Sequence, residues 1–182
     1  MFDSYYHFQQ VGVQKAHNKK YLIAVTIYSF NIENTRYLVE VEEYHLGIHI
    51  LKFYPKKNKA FARRFNTLTG EFKCSRIVGT CVRIMLAVLK KKPLCSFGFL
   101  GSHTINSTKK YMEKKHNTKR FRIYKYAMES LVGTVHFSHS VNEMNSTYLM
   151  INNKLKSVSD IKDRADKMFM DLYPQLHLSN NS

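Results

Sequence analysis

The run Arg76-Ile77-Val78-Gly79-Thr80-Cys81 is the stretch of this chain best suited to hold a phosphorylated small molecule. Periodic apolar residues around it predict a helix over Thr69–Pro93. A glycine in the first turn of that helix would let a phosphate approach the free backbone amides, with an arginine close by. A second group is acidic: the alternation of RYLVEVEEYH puts Glu40 and Glu42 on one face of a strand, with Glu43 beside them. The third group is cationic. Lys109, Lys110, Lys114, Lys115, Lys119, Arg120, Arg122 and Lys125 stand against a single acid, Glu113, with Tyr111, Phe121, Tyr124 and Tyr126 interleaved. Lys52, Lys56, Lys57, Lys59, Arg63 and Arg64 form a smaller concentration. Cations set on phosphates release counterions and exposed aromatics stack on unpaired bases, which suits RNA or single-stranded DNA better than major-groove reading. Each group also has a plainer reading. Arg76 is then a surface arginine, Gly79 a glycine for close helix–sheet packing, the glutamates a solvated strand edge, and the cations a solvated helix face.

Periodicity defines the elements that must position these residues. In the predicted central helix Ile77, Val78, Cys81, Val82, Met85, Leu86 and Leu89 recur at three- and four-residue steps. Ser75 is its expected N-cap, Lys90–Lys92 suit the negative end of its dipole, and Pro93 stops it. Before it, YLIAVTIYSFNI, RYLVEVEEYH and IHILKFYP read as strands, with AFARRFNTL as the fourth strand of an antiparallel meander. After it come a short buried strand, CSFGFLGS, a polar and basic stretch over Thr104–Asn117, and a second helix over Thr118–Leu131 with Gly133 just past its end. The strands TVHFSHSV and STYLMIN and a final helix over Ser159–Tyr173, capped by Ser159, complete the order. The fold class is α/β (α+β), a mixed and largely antiparallel sheet with flanking helices. One domain is expected over residues 21–173, with an arm at 1–20 and a disordered tail at 174–182.

A meander, a helix opening on a glycine-bearing turn, a strand, a helix and two last strands together resemble the GNAT N-acetyltransferase superfamily. Its signature at that helix start is Arg/Gln-x-x-Gly-x-Gly/Ala; Arg76 and Gly79 match it, and Cys81 stands in place of the final small residue. The superfamily also has an Asn opening the later helix and a Tyr seven residues on, matched by Asn117 and Tyr124. The resemblance covers roughly residues 21–152; the pair of helices usual after the first strand is missing and Thr104–His116 is inserted, which bears on acceptor binding. It implies acetyl-CoA as cofactor, its pyrophosphate flanked by Arg76, Gly79, Thr80 and Cys81. It also implies Tyr124 as the general acid and Glu40 as the base that deprotonates an amine, on a charged tRNA or a nucleic-acid-associated protein. As one Tyr of twelve, Tyr124 reads equally as a core aromatic. Two other readings stand beside the enzyme: a non-catalytic nucleic-acid-binding subunit of a larger nucleoprotein assembly, and a structural protein that oligomerises.

Totals narrow the classes. A formal charge of +16 over 182 residues calls for an acidic partner, with nucleic acid ahead of an anionic membrane surface. Cys74, Cys81 and Cys95 lack metal-ligand spacing, which argues against a disulfide framework and a zinc site and for reduced thiols in the cytoplasm. His136 and His139, three apart in an expected strand, point to opposite faces, so no metal is expected there. No apolar run reaches a membrane span, and the N-terminus lacks the hydrophobic region of a signal peptide.

Overall fold

The structure, a computed structural model, describes residues 4–17, 19–61, 65, 71–101, 105–106, 111–114 and 116–174. Strands β2 (Leu22–Ile32) and β3 (Thr35–Tyr44) form the hairpin that their β-branched and aromatic residues predict. Strand β4 (Ile48–Pro55) extends it antiparallel to β3, and Pro55 closes the strand. The fourth strand of the meander is β1 (Phe8–Lys15), paired antiparallel to β2. Residues 8–15 are therefore sheet rather than arm. Their period is hidden because the register shifts between Gln10 and Gly12, so Val11 and Val13 both come out exposed while Phe8 meets the ring of Tyr28. In the stretch expected to supply the fourth strand, residues 62–64 and 66–68 lie outside the described residues, Arg63 and Arg64 among them.

Helix α1 (Glu71–Lys91) crosses to β5 (Ser96–Leu100), which lies parallel to β4. The basic stretch that follows contains a two-residue ladder, β6 (Ile105–Asn106) with β7 (Tyr111–Met112). Helix α2 (Lys119–Leu131) leads to the antiparallel hairpin of β8 (Phe137–Asn142) and β9 (Thr147–Asn152), and α3 (Val158–Leu172) ends the fold. The sheet order is β1-β2-β3-β4-β5-β9-β8, a mixed seven-stranded sheet in an α+β fold. Among the described residues no helix is long and apolar enough to cross a membrane.

Two apolar layers hold the sheet. On one face α1 and α2 bury Ile77, Val78, Ile84, Met85, Phe121 and Met128 against Val39, Val41, Leu51, Phe53 and Phe97. On the other, Ala165, Met168 and Phe169 of α3 cover Ile48, Ile50, Leu149 and Ile151. Each of these Val, Leu, Ile, Phe and Met side chains contributes about 1.5–3 kcal/mol relative to exposure. Packing overrides the expected caps. Ser75 lies inside α1, and Ser159 lies inside α3, whose cap position is Ser157. Leu155 and Val158 already pack on the apolar layer under α3, so the chain turns helical early.

His49, at the start of β4, is buried beside Phe97, with Nδ1 3.1 Å from the Gly47 carbonyl. Burial holds its pKa below the ordinary value, against a smaller opposing effect of the Gly47 carbonyl. Below pH 6.5 the unfolded chain therefore binds more protons than the native one. Stability is expected to be full above that pH and to fall by up to about 1.4 kcal/mol per pH unit as pH drops toward the native value. Urea melts from pH 8 to pH 5 check this; a His49→Gln variant should lose that part of the slope.

Candidate functional site

The residues expected to cradle a phosphate do not form a cradle. Because α1 begins at Glu71, Gly79 and Thr80 lie well inside the helix, where their amides belong to the helical ladder. Both are buried. The Thr80 hydroxyl donates to the Arg76 carbonyl at 2.8 Å and accepts from the Tyr6 amide at 2.9 Å. Arg76 spreads over the Tyr6 ring at 4.1 Å and bonds the Tyr5 carbonyl, while Tyr6 stacks on Phe30. Cys81 is buried, and desolvation pushes its thiol pKa up to about 12. Arg76 and Thr80 thus dock the N-terminal segment onto α1 while Gly79 and Cys81 are buried within the helix, so this run does not offer free backbone amides to the pyrophosphate of acetyl-CoA.

A second candidate lies at the switch between antiparallel and parallel pairing. Strands β4 and β5 pair only through Ile48–Ile50 against Ser96–Gly98, although β4 continues through Leu51–Pro55 and β5 through Phe99–Leu100. Crevices outside the carboxyl ends of parallel strands are where open sheets take ligands. Tyr124 packs against Phe99 on the α2 side of this split. It is only 6% exposed, and burial raises its pKa, so it stays protonated at neutral pH.

Glu40 lies on the opposite face of the sheet from Tyr124, and the two expected catalytic residues do not share a face. β3 is an interior strand, which corrects the solvated-edge reading of its glutamates. Tyr54 donates to Glu40 Oε1 at 2.6 Å. Glu42 Oε2 accepts from Tyr44 at 2.8 Å and pairs with Lys52 at 2.7 Å. Burial would lower the Lys52 pKa, but Glu42 and Tyr173 outweigh it and the pKa stands raised; the Lys52 ammonium also faces the rings of Phe65 and Tyr173. Lys52, Tyr44, Tyr54 and Tyr173 were not singled out from sequence as partners of these carboxylates. The alternation of IHILKFYP is the signal that puts Lys52 and Tyr54 on one face.

No protein-family model, curated protein or solved structure matches this chain. Its surface chemistry therefore has to speak for itself. Helix α2 is capped by Thr118, whose hydroxyl accepts from the Phe121 amide, so Asn117 precedes the cap and does not open the helix. Its buried face carries Phe121, Tyr124, Ala127 and Met128. Its outer face carries Lys119, Arg122, Tyr126 and Glu129, with Lys125 at the margin and Lys114 exposed nearby. Of the expected cationic set, Arg120 turns inward: it lies over Phe53 and donates to the Phe65 carbonyl. Lys109, Lys110 and Lys115 lie outside the described residues.

Helix α2 is seated on β5 by a close approach that only glycine permits. A Cβ on Gly101 would stand 2.5 Å from Phe121 Cβ and 2.9 Å from the Phe121 amide nitrogen. Gly101→Ala is therefore expected to cost about 3 kcal/mol, the upper end of overpacking, because Phe121 Cβ, the Thr118 cap hydroxyl and the Phe121 amide are all held by the start of the helix. Thermal denaturation checks it; a loss well under 1 kcal/mol would mean that α2 shifts freely. Among the described residues no group of three or more His, Cys, Asp or Glu is placed to hold a metal ion.

Proposed function

We propose that this protein binds single-stranded nucleic acid, RNA or DNA, along the outer face of α2. The observation that carries this reading is the exposure of Lys119, Arg122 and Tyr126 on one side of that helix, beside Lys114 and Lys125, in a chain of formal charge +16. Cations there take the phosphates, and the half-exposed Tyr126 ring offers a base a stacking surface. A non-catalytic role, as a binding subunit of a nucleoprotein assembly, accords with the use of Arg76, Gly79, Thr80 and Cys81 in packing. Fluorescence anisotropy with labelled single-stranded and duplex oligonucleotides tests the reading. Binding is expected at about 50 mM salt, tighter for the single strand, and weakening linearly with the logarithm of salt. Absence of binding at that salt would overturn it.

One observation favours a second reading, GNAT-like N-acetyl transfer to an amine: the split between β4 and β5, with the protonated Tyr124 packed on Phe99 beside it. Acetyl-CoA bound there would raise the melting temperature; at a hundredfold excess over its dissociation constant the gain is about 2.7 kcal/mol. Absence of any shift at millimolar CoA would remove the enzyme reading and leave the binding protein.

A further inference from the structure

Arg122, Lys125, Tyr126 and Glu129 of α2, with Asn117 and Glu143, line a groove of about 290 Å³. This suits one nucleobase. The presence of two carboxylates in it needs a reason, because the chain has only 13 acidic residues against 29 lysines and arginines. Beside a polyanion a carboxylate repels phosphate and costs affinity. Glu143 is offset by Lys125 at 3.2 Å. Glu129 makes no ion pair among the described residues.

A carboxylate on a phosphate-binding surface becomes useful when it accepts hydrogen bonds from a base. On their Watson–Crick edges, uracil, cytosine and adenine all set an acceptor lone pair beside their donor, which a carboxylate repels. Guanine sets N1–H and N2–H side by side, matching the two carboxylate oxygens, and in a single strand that edge is free. Residues 122, 126 and 129 lie on one helical stripe, with rises of about 6 Å and about 4.5 Å between them. That order puts a cation, a stacking ring and an acceptor along one nucleotide. We infer that this groove is a guanine-selective base subsite, with the base on Tyr126, its donor edge on Glu129 and its phosphate on Arg122 and Lys125.

The groove is fixed before any base enters. Its far wall, the turn bearing Glu143, is tied to α2: the Asn117 amide donates to the Glu143 carbonyl at 2.9 Å, and the Thr118 amide donates to the buried Ser146 hydroxyl at 3.0 Å. Asn117 and Ser146 both hold left-handed backbones, φ 46° and 50°, which non-glycine residues adopt at a cost. One Arg122 N–H bonds the Asn117 carbonyl, leaving the remainder of its donors to a phosphate.

This inference rests on the nucleic-acid reading. Its test compares wild-type affinity for a labelled oligouridine and for the same strand carrying one central guanosine. The guanosine strand should bind roughly five- to tenfold more tightly, the low end for a bidentate contact since the groove is open to solvent. In Glu129→Gln the ratio should fall to about one, because an amide offers one acceptor. Tyr126→Ala should weaken both strands roughly tenfold. Equal wild-type affinities, or a preference that survives in Glu129→Gln, would overturn the guanine subsite and leave nucleic-acid binding in place. Failure to bind either strand would instead remove the underlying reading and this inference with it.

Discussion

Replacing Lys119, Arg122 and Lys125 together by glutamate is expected to weaken single-stranded nucleic-acid binding by about a hundredfold or more and to reduce its salt slope by about 2. The slope follows from three lost phosphate contacts at about 0.7 each for single strands. The affinity loss exceeds simple deletion because each reversal adds repulsion. All three side chains lie on or at the margin of the outer face of α2, so the fold should tolerate the change. The ion pair of Lys125 with Glu143 that the change breaks is solvent-accessible and worth about 0–1 kcal/mol. Arg120 is left out on purpose. Its guanidinium covers Phe53 and bonds the Phe65 carbonyl, so reversing it would report on folding. A salt slope equal to wild type, with an unchanged melting temperature, would place the interface elsewhere.

The distinction between Arg120 and its neighbours shows what the sequence could and could not convey. That residues 118–131 form a helix was legible from Phe121, Tyr124 and Met128 at helical spacing, and Gly133 marked its end, with φ 63°. Which cations face solvent depended on how α2 seats against β5 and the end of β4, and that contact involves Gly101 and Phe65, far apart in the chain. At Gly79 the difficulty is of another kind. A glycine in a phosphate-binding turn and one buried within a helix look alike in a local motif. What separates them is where the helix starts, and it starts at Glu71, ahead of Ser75. Strand β1 was missed because a bulge breaks its two-residue period. Three strands of the meander, the central helix, the later helix and the closing hairpin were readable, since each carries its own period. The β4–β5 split was not, because parallel pairing is a property of strands with a helix between them.

The pairing of Glu42 with Lys52 was equally hidden, and its disruption should produce the largest loss of stability on the face opposite α2. Their side chains are only 13% and 19% exposed, and Tyr44 donates to the same Glu42 oxygen that Lys52 meets. Removing one partner strands the other in a poorly solvated place. Glu42→Leu or Lys52→Met alone is therefore expected to cost about 3–5 kcal/mol in urea unfolding. The double variant should recover most of that, since two apolar side chains of similar volume need no counter-charge. Recovery will stay short of complete because the Tyr44 hydroxyl loses its acceptor, which costs about 1–3 kcal/mol when buried. Additive losses in the double variant would mean that the two charges do not depend on each other, and that water reaches both. Nucleic-acid affinity offers an independent readout. The pair lies across the sheet from Arg122 and Tyr126, so a refolded double variant should keep both affinity and salt slope, whereas a loss of either would draw the carboxylate face into the binding surface.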